Sequence, residues 1–345
     1  MRKKSLLLSL FMMGAFAYAQ ENTSGIEISG SADAYYKYDF AKGENIGTYF
    51  ANDHNSISLG MISLGLKKST GKASFVGELS FGPRGQGQTL YVGDDIDDSS
   101  FHIQNLYMDY AFTDKFSMTA GFMGTFIGYE VISPAANFHY STSNLFGAGP
   151  FQNAGIKGTY AFSDKVSLMA GLFNDWNVYK DLNGVSHFGA QLSLAPVEGL
   201  SVYANFLTGS SSKSPLAASA GSGTIYDLVA SYDFSEKFSL GLNAADYTLK
   251  ADGGYQGVAL YPKYNITEYA QIGARGEYFK TKDVGAVKGE SITSLTLSGK
   301  LTHGGLSLIP EFRFDSNDSK PFYKSDFTTA TKSASQVSLA LVYAF

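Results

Sequence analysis

The stretch Asn137-Phe-His-Tyr-Ser-Thr-Ser143 is where acyl-transfer chemistry would be sought. His139 sits beside Ser141 and Ser143, with Asn137 close by. A serine activated by a histidine that a third group orients is what that chemistry needs. Neighbours along one loop need not meet in space, however, and serine is common in this chain. His54, His102, His187 and His303 show no metal-ligand spacing. The run Asp94-Asp-Ile-Asp-Asp98 could hold a divalent cation, but it departs from the EF-hand pattern and reads better as a solvated acidic rim. Gly82-Pro-Arg-Gly-Gln-Gly87 lacks the Gly-Lys-Ser/Thr ending of a phosphate loop. Asn265-Ile-Thr267 and Asn317-Asp-Ser319 match glycosylation acceptors by chance. Catalysis, a cofactor and a metal site are therefore not expected.

The elements that would position these residues are announced by a cassette that occurs three times. It reads Tyr110-Ala-Phe-Thr-Asp-Lys-Phe-Ser-Met-Thr-Ala-Gly121, then Tyr160-Ala-Phe-Ser-Asp-Lys-Val-Ser-Leu-Met-Ala-Gly171, then, more loosely, Tyr232-Asp-Phe-Ser-Glu-Lys-Phe-Ser-Leu-Gly-Leu-Asn243. Each copy is a strand end, a polar turn and a strand start. Aromatic residues alternate just before the turn, so one face is apolar with an aromatic hem. That suits a barrel strand facing lipid with rings at the membrane interface. A soluble sandwich hairpin is the competing reading.

Composition separates the two. The chain has 345 residues, no cysteine, 38 glycines, 23 tyrosines and 26 phenylalanines, and only 17% of residues are charged. Two aromatic girdles account for such a load. Met1 to Ala19 has the form of a secretory signal peptide: Arg2, Lys3 and Lys4, an apolar run to Ala17, and an Ala17-Tyr-Ala19 cleavage site. Its removal takes three of the 26 basic residues and none of the 31 acidic ones, so the formal charge goes from −5 to −8. That sign disfavours nucleic acid as a partner. The apolar run falls short of the roughly 20 residues a spanning helix needs, and no other segment has 18 consecutive apolar residues. A membrane-embedded mature chain must then be a closed barrel, because only helices and closed barrels satisfy every backbone group in lipid.

Alternating segments of about ten residues recur from residue 26 onward. They predict sixteen strands: 26–40, 56–67, 72–82, 101–112, 116–126, 154–162, 166–176, 185–194, 200–209, 224–234, 238–249, 257–264, 269–280, 291–301, 306–315 and 336–345. Fourteen or eighteen are the neighbouring counts. Connections alternate short and long, which is how outer-membrane barrels sort periplasmic turns from external loops. Ser210–Ser222 reads as a mobile external loop. The last strand sets Val337, Leu339, Leu341, Tyr343 and Phe345 on one face and ends on the aromatic, which resembles the signature read by bacterial barrel-assembly machinery. Asp33, Lys37 and Asp39 share one parity, as do Gln271, Arg275 and Glu277, then Glu311, Arg313 and Asp315, then Asp227, Ser231 and Asp233. A Lys or Arg aimed at mid-bilayer lipid would cost about 2–4 kcal/mol. These sets therefore mark the inside.

One connection stands apart, Ile127 to Asn153, the third of the long set. It is aromatic and poor in charge. Loops beyond about 12–15 residues are usually functional or disordered, and this composition argues against disorder. Its motifs are Gly128-Tyr-Glu130, Asn137-Phe-His-Tyr-Ser141, Asn144-Leu-Phe146 and Gly149-Pro-Phe151. They resemble the β-barrel porin-2 (OmpL-like) family over about residues 118–160, with Gln152-Asn153 standing where that family often has a His-Thr-Gly turn. The resemblance implies an outer-membrane porin and supplies no substrate. It also invites comparison with general porins, whose third external loop folds into the lumen. Glu130, Asn137, His139, Tyr140 and Asn144 would then be the polar groups nearest a solute, and Lys37, Lys157, Arg275 and Arg313 the facing wall.

The reading is an all-β transmembrane antiparallel barrel over residues 26–345, preceded by a leader (1–19) and a short periplasmic tail (20–25). It would conduct small hydrophilic solutes passively, narrowed by loop 127–153. Asp33, Lys37, Lys157, Gln271, Arg275, Glu277, Glu311 and Arg313 would line the pore. Two alternatives stand: a non-conducting barrel that serves as anchor, adhesin or scaffold, and a nutrient-selective channel. The expected partners are outer-membrane lipid and lipopolysaccharide, the permeating solutes, the assembly machinery and further copies in a homotrimer.

Overall fold

The computed structural model describes residues 25–83, 101–181, 184–211, 222–250 and 252–345. The expected leader, the 20–24 part of the tail, the Asp94–Asp98 cluster and most of Ser210–Ser222 lie outside them. Among the described residues, sixteen strands close into one antiparallel barrel. In chain order they are β1 (Glu27–Asp39), β2 (Ser56–Thr70), β3 (Ala73–Phe81), β4 (Phe101–Ala111), β5 (Phe116–Gly124), β6 (Gln152–Ser163), β7 (Val166–Trp176) and β8 (His187–Leu194). Then come β9 (Leu200–Gly209), β10 (Gly223–Asp233), β11 (Phe238–Leu249), β12 (Gly254–Asn265), β13 (Ala270–Thr281), β14 (Ser291–His303), β15 (Leu306–Asn317) and β18 (Ser333–Ala344). Between β15 and β18, β16 (Phe322–Tyr323) and β17 (Ala330–Thr331) form a small separate hairpin that sequence pattern did not suggest. Each of the sixteen predicted strands has its counterpart, and the connections alternate short and long except at 250–253, where a long loop was expected and the strands extend to leave a connection shorter than the 195–199 turn.

The cassette turns are closed by a hydroxyl. Thr113 Oγ1 accepts the N–H groups of Lys115 and Phe116. Ser235 Oγ accepts those of Lys237 and Phe238, and Ser163 Oγ that of Lys165. A short polar side chain that folds back on its own backbone favours a tight turn. The same device closes a fourth turn, where Thr267 Oγ1 accepts from Tyr269 and Ala270. The aromatic hem is real: Tyr110–Phe112, Tyr160–Phe162 and Tyr232–Phe234 pack edge to face at 4.9, 5.0 and 4.5 Å between centroids.

Closure joins β1 to β18, with Ser31 opposite Ala344 and Asp39 opposite Gln336. Gly30 and Phe345 exchange both backbone hydrogen bonds, at 3.1 and 3.0 Å. Outward positions carry Leu, Ile and Phe, such as Leu260, Leu295, Leu297 and Phe312. One irregularity aims a functional side chain. The β1–β2 register jumps from Ala32↔Ile62 to Ala34↔Leu59, so Gly60 and Met61 bulge opposite Asp33. Met61 N donates to Asp33 Oδ1 (3.1 Å), and a Cβ on Gly60 would collide with that carboxylate. The bulge thus fixes Asp33 within the lumen.

Outward Leu297 on β14 tests which face meets lipid. Leu297→Arg is expected to lower the unfolding free energy by about 2–4 kcal/mol, read by urea titration of the protein in lipid vesicles. The inward Thr159→Arg on β6 should cost much less. Equal costs at the two positions would contradict the assignment of faces.

Candidate functional site

The connection between β5 and β6, residues 125–151, lies against the inner wall of the barrel. Its late part holds one helical turn, α1 (Asn144–Ala148), which the sequence reading did not foresee. Ser143 caps it by accepting the N–H of Phe146 (3.0 Å), and Gly149 ends it. The first amides of any helix lack an internal partner. Here a strand carboxylate supplies one: Asn144 N and Leu145 N donate to Glu277 at 2.9 and 2.8 Å.

The same pairing repeats along the loop. Tyr140 N and Ser141 N donate to the two oxygens of Glu311 at 3.0 and 3.1 Å. Ser143 N donates to Glu130 Oε2 (2.7 Å), and Gly128 N to Asp227 Oδ1 (2.9 Å). Carbonyls find cations instead. The Arg275 guanidinium donates to Ser141 O (2.7 Å) and Thr142 O (3.2 Å), and it also binds Glu130 Oε1 at 2.6 Å. Arg313 donates to Thr142 O (2.6 Å) while its other nitrogens hold Asp315 at 2.8 and 2.9 Å. Tyr140 Oη reaches Asp33 Oδ2 at 2.6 Å. Charge-assisted bonds of this kind are roughly twice as strong as neutral ones.

The other side of the loop is held by apolar packing. Phe126, Ile127 and Leu145 join an inward cluster of Phe173, Trp176, Leu207, Ile225, Tyr247 and Tyr255. Tyr129 stacks on Tyr261 at 4.2 Å, over the bare backbone of Gly241. The inner wall of β7 to β12 is therefore partly aromatic, where only polar and small residues were expected. The connection 40–55 completes the packing. Lys37 Nζ donates to Ile46 O and Asn52 O (2.9 Å each), Tyr49 N donates to Thr142 Oγ1 (3.1 Å), and Phe50 lies beside the Tyr140 ring.

Glu130, His139, Tyr140 and Asn144 thus meet Asp33, Arg275, Glu277, Glu311 and Arg313, but as a buried, interlinked network in which Arg275 Nε alone of the guanidinium nitrogens has no partner among the described residues. Lys37, Tyr140, Arg275 and Arg313 are at most 1% exposed. Asn137 closes the loop tip on itself, bonding Val131 through both N–H and C=O. His139 Nδ1 pairs with Ser298 Oγ (2.7 Å), and burial first, then Arg275, holds its pKa well below the usual histidine value. Ser143 Oγ is engaged in capping and Ser141 Oγ with Arg275, so no serine–histidine pair assembles within the loop. Ser186 and Asp175 do approach His187, at 2.9 and 3.5 Å, but both meet the same ring nitrogen, which no relay can use. Gln271 bonds Asn265 (2.9 Å). Lys157, on β6, makes no hydrogen bond or ion pair among the described residues and is half-buried. Sequence reasoning missed Ser294, Ser298, Lys263 and Lys300, all inward. Parity with their strand neighbours was the available signal. No group of metal-ligating residues occurs among the described residues.

A closed sixteen-stranded barrel with a long loop bound to its inner wall defines a porin-type channel of the outer membrane. The chain belongs to the family described as Putative beta-barrel porin-2, OmpL-like, which it matches over residues 25–345. Its fold is similar to that of Salmonella typhi OmpF, solved with daunomycin (TM-score 0.66, 13% identity, 93% of this chain and 97% of that one). It is similar to Vibrio cholerae OmpT in trimer form (0.61, 12%, 93% and 99%) and to an anion-selective porin from Comamonas acidovorans (0.60, 13%, 93% and 99%). The sequence has no match among curated proteins.

Two outcomes test the clamp. Arg275→Ala leaves Glu130 buried without its cation and is expected to destabilise the fold by about 3–5 kcal/mol. Arg275→Met with Glu130→Gln should recover part of that in the same unfolding assay. His139 binds fewer protons folded than unfolded, so the stability that depends on its neutrality is full at high pH. It falls as pH drops below about 6.5, the ordinary histidine value. A pH series of unfolding midpoints should show this slope, and His139→Gln should flatten it.

Proposed function

We propose that the protein is a passive diffusion channel for small hydrophilic solutes in the outer membrane, and that loop 125–151 sets its bore. The observation that carries this is the binding of loop amides at 140, 141, 144 and 145 to carboxylates on β13 and β15. Those carboxylates face inward, so the loop occupies cross-section that sixteen strands would otherwise leave to water. In this reading Glu130, Asn137, His139, Tyr140 and Asn144, with Asp33, Lys37, Arg275, Glu277, Glu311 and Arg313, hold the constriction in place. Gln271 and Lys157, half-buried below it, line the open lumen. A trimer is proposed by likeness to OmpT of Vibrio cholerae, solved as one. Export by a cleaved leader, contact with lipopolysaccharide and delivery by barrel-assembly machinery belong to the same proposal.

The close packing of the loop on β1 and β13–β15 favours one second reading, a barrel with little conduction that anchors or scaffolds. Single-channel recording of the refolded mature chain separates the two. Discrete ohmic steps are expected. Deleting Ala135–Ser143 should raise the step size, and an unchanged step would contradict the constriction while leaving the barrel intact.

A further inference from the structure

Ionised side chains inside the barrel fall into two sets. One is spent on the clamp. The other faces the lumen between the loop and the short turns, and among it the acids are satisfied. Glu78 accepts from Asn105 Nδ2 (2.6 Å), and Asp109 from Thr119 Oγ1 (2.5 Å) and Ser74. The amines on the opposite wall are not. Lys263 on β12 makes no hydrogen bond or ion pair among the described residues, and Asp233 is the acid that bears on it electrostatically. Lys300 on β14 donates to Asn137 O (2.9 Å) and, at 3.5 Å, to Ala135 O. An ammonium has three donors, so one remains for the lumen.

Register brings the two amines to one place. Lys263 is opposite Gly273, and Lys300 is opposite Gln271 on the same strand. Gly273 has no side chain, and the Phe138 ring fills the space: a Cβ there would stand 2.5 Å from it. The loop tip beside it is apolar, with Val131, Ile132, Ala135 and Phe138 half-buried and Ala136 exposed.

We propose that Lys263 and Lys300, with Phe138 between them, form a docking subsite for a small organic anion on the periplasmic side of the loop. This rests on the channel reading above. The carboxylate meets the amines and the apolar body lies on Phe138 and the loop tip. Flexible, half-solvated ammonium groups hold an anion less rigidly than a bidentate guanidinium. Shallow binding of that kind suits a pore, which must capture a solute and release it. Arg275 and Arg313 are excluded from the role because both are at most 1% exposed and their guanidinium groups are held by the loop, Glu130 and Asp315.

The test is KCl current through the full refolded channel in a planar bilayer, with benzoate, its neutral analogue benzamide, and acetate as probes. Benzoate is expected to reduce the current at a concentration about tenfold below that of benzamide, the factor one charge-assisted contact supplies. Lys263→Gln, which breaks no hydrogen bond to the loop, and Lys263→Gln with Lys300→Gln should remove that difference. They should also move the reversal potential in a KCl gradient toward cations relative to the parent. Phe138→Ala should weaken benzoate and leave acetate unchanged. Heat-modifiable migration shows that each variant has folded. Equal block by benzoate and benzamide in the parent, or parental block in the double variant, would overturn the subsite while the channel reading stands. Absence of any current from a folded parent would overturn both.

Discussion

A loop placed inside a barrel brings backbone N–H and C=O groups away from bulk water, and each must be paired there or cost free energy. This requirement organises the interior. Glu277 and Glu311 take loop amides in pairs, and Arg275 and Arg313 take loop carbonyls. Ionised partners suit the task because the site is buried and one side chain can serve two backbone groups. Where the loop presents Phe126, Ile127 and Leu145 instead, the facing strands carry Phe173, Trp176 and Tyr255. Both kinds of wall follow from what the loop offers at each point.

The barrel was legible because lipid imposes a period of two. Charged residues of one parity, such as Glu311, Arg313 and Asp315, cannot face hydrocarbon, so their direction could be read directly. Strand count and loop parity followed from the same alternation. Partners were not legible in this way. Tyr140 meets Glu311 across 171 positions, a pairing no local pattern encodes. Inward charge therefore read as pore lining, whereas the carboxylates of Asp33, Glu277 and Glu311 are occupied by the loop. The turn of helix at Asn144 is too short for periodicity to register. The turn at Asn265–Glu268 was legible as a short turn, but not its likeness to the cassette, because Tyr269 stands where the other copies have lysine. Lys263 and Lys300 lie near strand ends, where lysine blends with the rim.

The division between committed and uncommitted charge has a functional consequence. A guanidinium buried under the loop and bound to it can shape a passage but has little left to read a solute. In the proposed channel, selectivity would rest on groups that retain hydrogen-bonding capacity, among them the amines of β6, β12 and β14. The proposal thereby places stability and selection on different residues. The loop carries both roles: its backbone is the ligand of the clamp, and its apolar tip borders the open lumen.

The central claim is that the loop amides are bound to strand carboxylates inside the barrel. Amide hydrogen exchange of the refolded protein in detergent or lipid measures it most directly. The N–H groups of Tyr140, Ser141, Asn144 and Leu145 should exchange as slowly as those of the barrel strands, and Glu311→Gln should speed Tyr140 and Ser141 selectively. Rapid exchange at these four positions, at the rate of an exposed loop, would contradict the account.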